Sequence, residues 1–182
     1  MGEPEPPPLP SRKAAINILQ GLGCSKSLIS HCNTVSDLAL KIARKYNDKN
    51  ISVDLKLVEI GGLLHDLGRS KTHTVQHAII GANIARSLNL PAPIIKIIER
   101  HVGAGIPKNE TQQIGLPNRD FIPLNLEEKI VAYADKLVKG TSHVSYKDAF
   151  RDLSSKLGKN HPALTRFKQL HKEISAITRE NA

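Results

Sequence analysis

The sequence predicts an all-α fold, a compact helical bundle of about seven to eight helices, and three observations support it. Hydrophobic residues make up 40% of the 182 residues, yet the chain has no Trp and only three Phe and three Tyr, a composition that suits packed helices better than an aromatic-rich sheet. Apolar residues recur at helical spacing in successive stretches. Residues that cap and end helices separate these stretches, so a bundle with one core is expected.

The helices follow a proline-rich start. Residues 1–10 have too much proline and too little apolar content to pack, so we expect a disordered tail, and residues 11–182 are expected to form one helical domain. Its helices are predicted at 11–22, 26–47, 53–67, 75–89, 92–102, 126–139, 145–157 and 161–179. The expected N-caps are Ser25, Ser52, Thr74 and Asn125, and the expected helix stops are Gly23, Gly140 and Gly158.

The segment 102–124 resists a helical interpretation. It carries three glycines and three prolines and encloses, at most, a short turn of helix near 109–114. Long connections in compact domains are often binding loops, and this one follows His101 directly. We therefore consider it a candidate wall for a substrate, against the alternative of an irregular connection that only packs.

The charge of the chain is positive and uneven. The formal net charge is +9, and residues 136–182 hold ten Lys and Arg against four Asp and Glu. The basic C-terminal helices, 141–182, therefore suit contact with RNA, although most charged surfaces are simply solvated. The low aromatic content argues against a module that stacks single-stranded bases.

Two further features bear on location. The two cysteines lack the spacing of a metal finger, and no secretory leader is evident. Because no apolar run approaches the roughly 20 residues that a membrane span needs, we expect a cytoplasmic protein without membrane contact.

Six residues with metal-ligand side chains lie on apolar stripes of five predicted helices. Buried imidazoles and carboxylates are costly unless they are paired or bind a metal, so their convergence predicts a metal site inside the bundle. The six residues are His31, His65, Asp66, His77, His101 and Asp135. For each one taken alone, the alternative is a hydrogen-bonded core residue.

These six side chains can be divided between two metals. A first ion would take His31, His65, Asp66 and Asp135. A second would take His77 and His101, and Asp66 would bridge the ions because a carboxylate has two oxygens. Such a ligand set suits one or two divalent transition metals, namely manganese, iron, cobalt, nickel or zinc.

The run GGLLHDLGR surrounds two of these residues. Gly61 and Gly62 permit close approach of another helix, and Gly68 is expected to end the helix shortly afterwards. Arg69 and Lys71 then lie near the mouth of the site, where they are candidate phosphate clamps against the alternative of solvated surface groups.

The other charged residues near these positions are less informative. Lys136, next to Asp135, is weighed as a phosphate clamp in the same way as Arg69 and Lys71. The remaining histidines are expected to be solvated, with His73 the one nearest the site: His73, His143, His161 and His171.

The pattern His31, His65-Asp66 and Asp135 resembles the HD-domain superfamily of metal-dependent phosphohydrolases. The added His77 and His101 resemble its six-ligand, binuclear branch, and HDLG followed by Arg69 is similar to the HDIG variant. The runs IERHVGAGIP and EEKIVAYADKL are similar to an archaeal group of stand-alone HDIG proteins. The resemblance extends over about 25–140, and it implies a core of five or more helices, hydrolysis of nucleotide phosphate esters and a bridging role for Asp66.

The sequence thus favours a metal-dependent phosphohydrolase in which a metal-bound hydroxide attacks phosphorus, with Asp66, Arg69 and Lys71 as catalytic candidates. A phosphodiesterase acting on cyclic nucleotides or 2′,3′-cyclic phosphates fits, as does a nucleotidase or a dinucleoside polyphosphate hydrolase. Two alternatives from other classes remain. One is a di-iron oxygenase on the same six ligands, and the other is a non-catalytic module that binds nucleotides or RNA.

Overall fold

A computed structural model describes residues 7–178 and confirms the all-α fold. Of the expected disordered tail, residues 1–6 lie outside the described residues, and the side chain of Leu9 packs against the core. The described residues contain nine α-helices, which are α1 (Arg12–Gly21), α2 (Lys26–Asn47), α3 (Leu55–Leu64), α4 (His77–Ser87), α5 (Ala92–Arg100), α6 (Lys108–Thr111), α7 (Leu126–Lys136), α8 (Tyr146–Leu157) and α9 (Pro162–Thr178).

Short elements connect some of these helices. Three 3₁₀ turns occur at Leu67–Ser70, Val102–Ala104 and Gln112–Ile114. After α7, the two-residue strands β1 (Val138–Lys139) and β2 (Ser142–His143) pair in antiparallel fashion. We call the segment 138–143 the hairpin.

The main core lies where α2, α3, α5 and α7 pack together. Helix α2 runs along α3, and its start is capped by the hydroxyl of Ser25, as predicted, just as Asn125 caps α7. Large side chains that are almost fully buried fill the space between the helices, among them Tyr46, Leu63 and Ile97. No helix within residues 7–178 is long and apolar enough to cross a membrane.

Two of the predicted N-caps are wrong. Helix α3 begins after Asp54, whose carboxylate accepts a hydrogen bond from the backbone N–H of Leu57 at 2.9 Å, and not after Ser52. Helix α4 begins at His77, and the hydroxyl of Thr74 accepts from the N–H of Gln76 at 3.3 Å in the preceding turn. In both regions more than one polar side chain lies near the backbone N–H groups that the first turn of a helix leaves unpaired, and these side chains compete to accept from them.

Two predicted helices are shorter than expected. The helix predicted over 53–67 ends at Leu64, so that His65 and Asp66 lie between α3 and a 3₁₀ turn. The helix predicted over 126–139 ends at Lys136, because the next residues pair in the hairpin. Both differences place ligand-type residues at helix ends, where their side chains are not confined to one helical face.

The segment 102–124 behaves mainly as a packed connection. Ile106, Leu116 and Phe121 form a small second core with apolar residues at the start of α4, and Ile106 pairs with Phe121 in an isolated bridge. A short helical turn lies at 108–114, close to the expected position. Of this segment, Val102 and Gly103 line a cavity at the six ligand-type residues, which is described below, and the other residues do not.

The histidines outside the six occupy different environments. His143 is exposed, as expected. The prediction that His171 is solvated is wrong, because its ring stacks on Tyr146 with centroids 3.6 Å apart and its Nδ1 lies 2.6 Å from the hydroxyl of Tyr133. The Nδ1 of His161 accepts from the backbone N–H of Ala163 at 3.2 Å at the start of α9.

Candidate metal centre

The ends of five helices bring the six ligand-type side chains together. His31 lies in the second turn of α2, and the other five lie at or directly beyond helix ends. His65 and Asp66 follow α3, His77 begins α4, His101 follows α5, and Asp135 is the penultimate residue of α7. The fold therefore brings all six predicted residues together, although the loops that connect these helices differ in length.

The donor atoms form two adjoining groups. In the first, the Nε2 atoms of His31 and His65 each lie 3.4 Å from Oδ1 of Asp135. In the second, the Nε2 atoms of His77 and His101 lie 3.1 and 3.4 Å from Oδ1 of Asp66. Among the described residues, His31, His65 and Asp135 lie close enough together to hold a metal ion, and so do His65, Asp66 and His101.

Asp66 lies between the two groups. Its Oδ2 faces the first group, 3.9 Å from Nε2 of His31 and 3.7 Å from Nε2 of His65, while its Oδ1 faces the second. A carboxylate in this position can offer one oxygen to each of two cations. The predicted bridging geometry is therefore available to Asp66.

Backbone carbonyls fix the tautomer of all four imidazoles. Each Nδ1 lies 2.6 to 2.8 Å from a carbonyl oxygen, which can only accept, so Nδ1 carries the proton and Nε2 presents a free lone pair to the site. The pairs are His31 with Gly140, His65 with Gly62, His77 with Thr74, and His101 with Ile98.

The free lone pairs are close together and buried. The Nε2 atoms of His77 and His101 are only 3.0 Å apart, with no proton to share between them in this tautomer. Nε2 of His65 and Oδ1 of Asp66 are buried without a hydrogen-bond partner in the described part of the chain. A buried acceptor left in this way costs about 1 to 3 kcal/mol, and a bound cation would satisfy several at once. The donor set therefore fits a metal.

The electrostatics keep the carboxylates ionised and one imidazole neutral. Burial alone would raise the pKa of Asp66, but the nearby His65 outweighs burial and holds this pKa well below its usual range. Burial is likewise outweighed at Asp135, where Lys136 is the main group that lowers the pKa. Burial lowers the pKa of His101 to about 4. Both acids are therefore available as anionic ligands at neutral pH.

Two basic residues contact the carboxylates directly. Nε of Arg69 donates to Oδ2 of Asp66 at 2.6 Å, and Nζ of Lys136 donates to Oδ2 of Asp135 at 2.5 Å. Lys136 therefore reaches the site despite its position on the neighbouring helical face. Lys71, by contrast, is exposed and does not line the cavity above the site.

A cavity of about 770 Å³ is lined by three of the six residues. His31, Asp66 and Asp135 lie at its base beside Arg69, and His73 lies at its edge. Its opposite wall consists of the hairpin and α8, with the start of α2 between them. The volume of the cavity is therefore far larger than two metal ions require.

Sequence reasoning missed this wall. The lining side chains of the hairpin and α8 include Lys139, Asp148, Asp152, Leu153 and Lys156. From the sequence, the α8 residues were expected in the basic C-terminal helices 141–182, outside the ligand-bearing core 25–140, and Lys139 was not singled out. The available signal was the apolar spacing of Ala149 and Leu153 in α8, which indicates a packed face, although Leu157 on the same spacing is 41% exposed.

Comparison with known proteins agrees with this geometry. The sequence model of the HD domain matches residues 28–140. An uncharacterised protein of Methanocaldococcus jannaschii is 45% identical over 163 residues, which cover 90% of this chain and 96% of that protein. The tRNA (cytidine(56)-2′-O)-methyltransferase of Picrophilus torridus is 39% identical over 169 residues, 93% of this chain but 48% of the methyltransferase, so the chain spans about half the length of that relative.

A solved structure has the same fold. The HD domain of the L. monocytogenes phosphodiesterase PgpH, in complex with cyclic di-AMP, matches with a TM-score of 0.53 at 16% identity, covering 93% of this chain and 99% of that domain. The match of the HD-domain model to more than half of the sequence, together with six ligand-type side chains gathered at five helix ends, shows that the chain belongs to the HD-domain family.

Proposed function

We propose that this protein is a binuclear metal-dependent phosphohydrolase that cleaves phosphodiester bonds of nucleotides. The observation that carries the proposal is the position of Asp66, whose two oxygens face two different groups of imidazole nitrogens. A mononuclear site has no need for a buried carboxylate divided in this way.

The proposed ligands are His31, His65 and Asp135 for one ion, His77 and His101 for the other, with Asp66 shared. Imidazole and carboxylate donors without a thiolate suit manganese, iron, cobalt, nickel or zinc. When bound, two such cations supply Lewis acidity toward phosphoryl oxygens and lower the pKa of the water that they hold, which phosphoester hydrolysis at neutral pH requires.

The protein's own groups bind and orient the substrate in this proposal. Arg69 keeps Nε on Asp66 and lines the cavity, so its remaining N–H groups can donate to the phosphate oxygens where charge develops. Lys136 holds one oxygen of Asp135 and leaves the other for the metal group. The exposed Lys71 is no longer favoured as a clamp.

The nature of the relatives supports a nucleotide substrate. PgpH is a phosphodiesterase solved with a cyclic dinucleotide, and the methyltransferase relative acts on tRNA. The cavity volume of about 770 Å³ lies within the usual range for pockets that enclose small-molecule ligands, roughly 300 to 1,000 Å³. A nucleotide diester therefore suits the space better than a lone phosphate.

Metal content and hydrolysis, measured on the same sample, test the proposal. We expect about two metals per chain by elemental analysis and hydrolysis of bis(p-nitrophenyl) phosphate in the presence of manganese, iron, cobalt or nickel. His65→Ala should abolish hydrolysis, and His77→Ala should leave one metal per chain. His143→Ala, which removes an exposed imidazole outside the cavity, should change neither and is the matched control.

The other outcomes separate the alternatives. One metal per chain with hydrolysis would reject the binuclear assignment of His77 and His101. Two irons with consumption of dioxygen and no hydrolysis would favour the oxygenase. Neither metal nor hydrolysis would favour a binding module.

A further inference from the structure

Three charged side chains are joined on the cavity wall that lies opposite Arg69. Nζ of Lys139 in β1 lies 3.3 Å from Oδ1 of Asp152, and Nζ of Lys156 lies 2.7 Å from Oδ2 of the same carboxylate. All three side chains line the cavity. We call Lys139, Asp152 and Lys156 the wall triad.

The wall triad has little value for stability. The side chains of Lys139 and Lys156 are 69% and 64% exposed, and exposed ion pairs of this kind contribute on the order of 0 to 1 kcal/mol. Hydrogen bonding from Lys156 and Lys139 lowers the pKa of Asp152, so this carboxylate is ionised at neutral pH. Two ammonium groups against one carboxylate leave the wall triad with a net positive charge toward the cavity.

The neighbouring acid does not cancel this charge. Asp148 also lines the cavity, but Arg151 and the hydroxyl of Ser145 already occupy its two oxygens at 3.2 and 2.6 Å. Positive charge therefore prevails on the part of the cavity lining that the hairpin and α8 contribute.

The hairpin fixes the wall triad relative to the proposed metal centre. Lys139 immediately precedes Gly140, whose carbonyl oxygen accepts from Nδ1 of His31 at 2.8 Å. The same cavity contains His31, Asp66 and Asp135 at its base. The proposed metal centre and the wall triad thus face one cavity, which apolar side chains such as Leu28 and Leu153 also line.

We propose that Lys139 and Lys156 form a second anion subsite, which binds a phosphate of the substrate other than the one that is cleaved. The substrate class is a nucleotide that carries a terminal phosphomonoester in addition to the scissile phosphodiester, such as a 5′-phosphorylated dinucleotide. This inference rests on the proposed function. Asp152 holds the two ammonium groups together and competes with the incoming anion for them.

Equilibrium binding tests the subsite separately from catalysis. The probes are two phosphorothioate-linked diadenosines, one with and one without a 5′-phosphate, titrated by calorimetry into the full chain with Mn²⁺ present. The wild type should bind the phosphorylated probe roughly tenfold more tightly, since a charge-assisted contact is worth slightly more than one decade of affinity. The Lys139→Gln/Lys156→Gln variant should reduce this preference to about twofold or less.

Two further variants make the test specific. Lys168→Gln/Lys172→Gln removes the same charge from exposed positions of α9 outside the cavity, so it should keep the wild-type preference. Asp152→Asn removes the competing carboxylate and should increase the preference, a gain that a purely structural role would not produce.

Several results would overturn the proposal. They are no detectable binding of either probe, no preference in the wild type, an unchanged preference in the double lysine variant, or an equal loss in the α9 control. Hydrolysis of bis(p-nitrophenyl) phosphate is measured separately. If the protein hydrolyses this ester but shows no preference for the phosphorylated probe, the subsite is rejected and the proposed function stands. If it shows the preference but no hydrolysis, the proposed function is rejected and the subsite stands.

Discussion

The contact between α2 and α3 at Gly62 gives a sharp test of how the fold positions the site. A Cβ added at Gly62 would lie 2.7 Å from Cα of Ser36 and 3.2 Å from its backbone nitrogen. Ser36 is buried, and its hydroxyl donates to the carbonyl of Glu59 at 2.8 Å, so the two helices are tied at this contact. Because the opposing atoms belong to a helix backbone, relief requires the helices to separate.

The magnitude follows from two opposing effects. Overpacking of this kind costs about 1 to 3 kcal/mol, and replacing Gly by Ala within a helix returns up to about 1 kcal/mol. With a backbone contact as short as 2.7 Å, we expect the upper part of the cost and a net loss of about 1 to 2 kcal/mol for Gly62→Ala. For a chain of this size, that loss lowers Tm by roughly 2 to 8 °C.

The same substitution should weaken metal binding. The carbonyl of Gly62 accepts from Nδ1 of His65 at 2.7 Å, so a shift of α3 displaces His65 and the adjacent Asp66. Loss of such an orienting contact typically lowers metal affinity by about 10- to 100-fold. Calorimetric unfolding and Mn²⁺ titration of the same preparation would measure both effects.

Gly21→Ala is the matched control, because Gly21 ends α1 and an added Cβ there would meet nothing within 4 Å. It should keep or slightly raise Tm and leave metal affinity unchanged. If Gly62→Ala unfolded at the wild-type temperature with wild-type metal affinity, the inferred role of this contact would be wrong.

Three further predictions follow from single contacts. Lys136→Met should lower metal affinity by about 10- to 100-fold, because it frees Asp135 to rotate, whereas Lys136→Arg should retain most of the affinity. Equilibrium dialysis with Mn²⁺ measures both affinities. Normal binding by both variants would mean that Lys136 does not hold Asp135 in position for a metal. Tyr46→Phe should raise Tm by roughly 2 to 4 °C, since within residues 7–178 the buried hydroxyl has no hydrogen-bond partner. Burial raises the pKa of Tyr46 to about 12, so the unfolded chain ionises this hydroxyl from about pH 10 while the folded protein does not, and the free energy of unfolding falls as the pH rises from 10 toward 12; denaturant unfolding of the Phe variant should show a smaller loss over this interval. Gly140→Ala forces a side chain into the left-handed region at φ +61° at a cost of about 1 to 2 kcal/mol; because the carbonyl of Gly140 orients His31, elemental analysis should find less metal per chain than in the wild type.

The sequence could predict those parts of the site in which a polar residue lies on the apolar face of its own helix. His31 and His77 are polar residues on apolar stripes, and such conflicts are visible without a partner structure. The bounds of α2 were equally accessible, because a serine cap opens a long amphipathic stretch. In each of these cases the physical signal lies within a few residues of the feature.

The cavity wall could not be predicted, because it depends on contacts between segments that are distant in the sequence. The apolar spacing of Ala149 and Leu153 in α8 indicates that this part of the helix packs, but the pattern does not say whether α2, α7 or a loop packs against it. The segment 102–124 has the composition of a binding loop, yet Phe121 and Leu116 draw it into a small core against α4. Both outcomes depend on which apolar surfaces remain free after the main helices have packed.

The orientations of the four imidazoles differ in the same way, because three depend on local contacts and one depends on a distant segment. His65, His77 and His101 each donate from Nδ1 to the carbonyl three residues earlier in their own chain segment, so a local turn sets their direction. His31 donates instead to Gly140, 109 residues away, and its direction therefore depends on the docked hairpin. The imidazoles of the second group of donor atoms are oriented by local structure, whereas the first group is complete only when the hairpin is in place. Since the hairpin also carries Lys139, the segment that orients His31 is the one that would carry the second anion subsite.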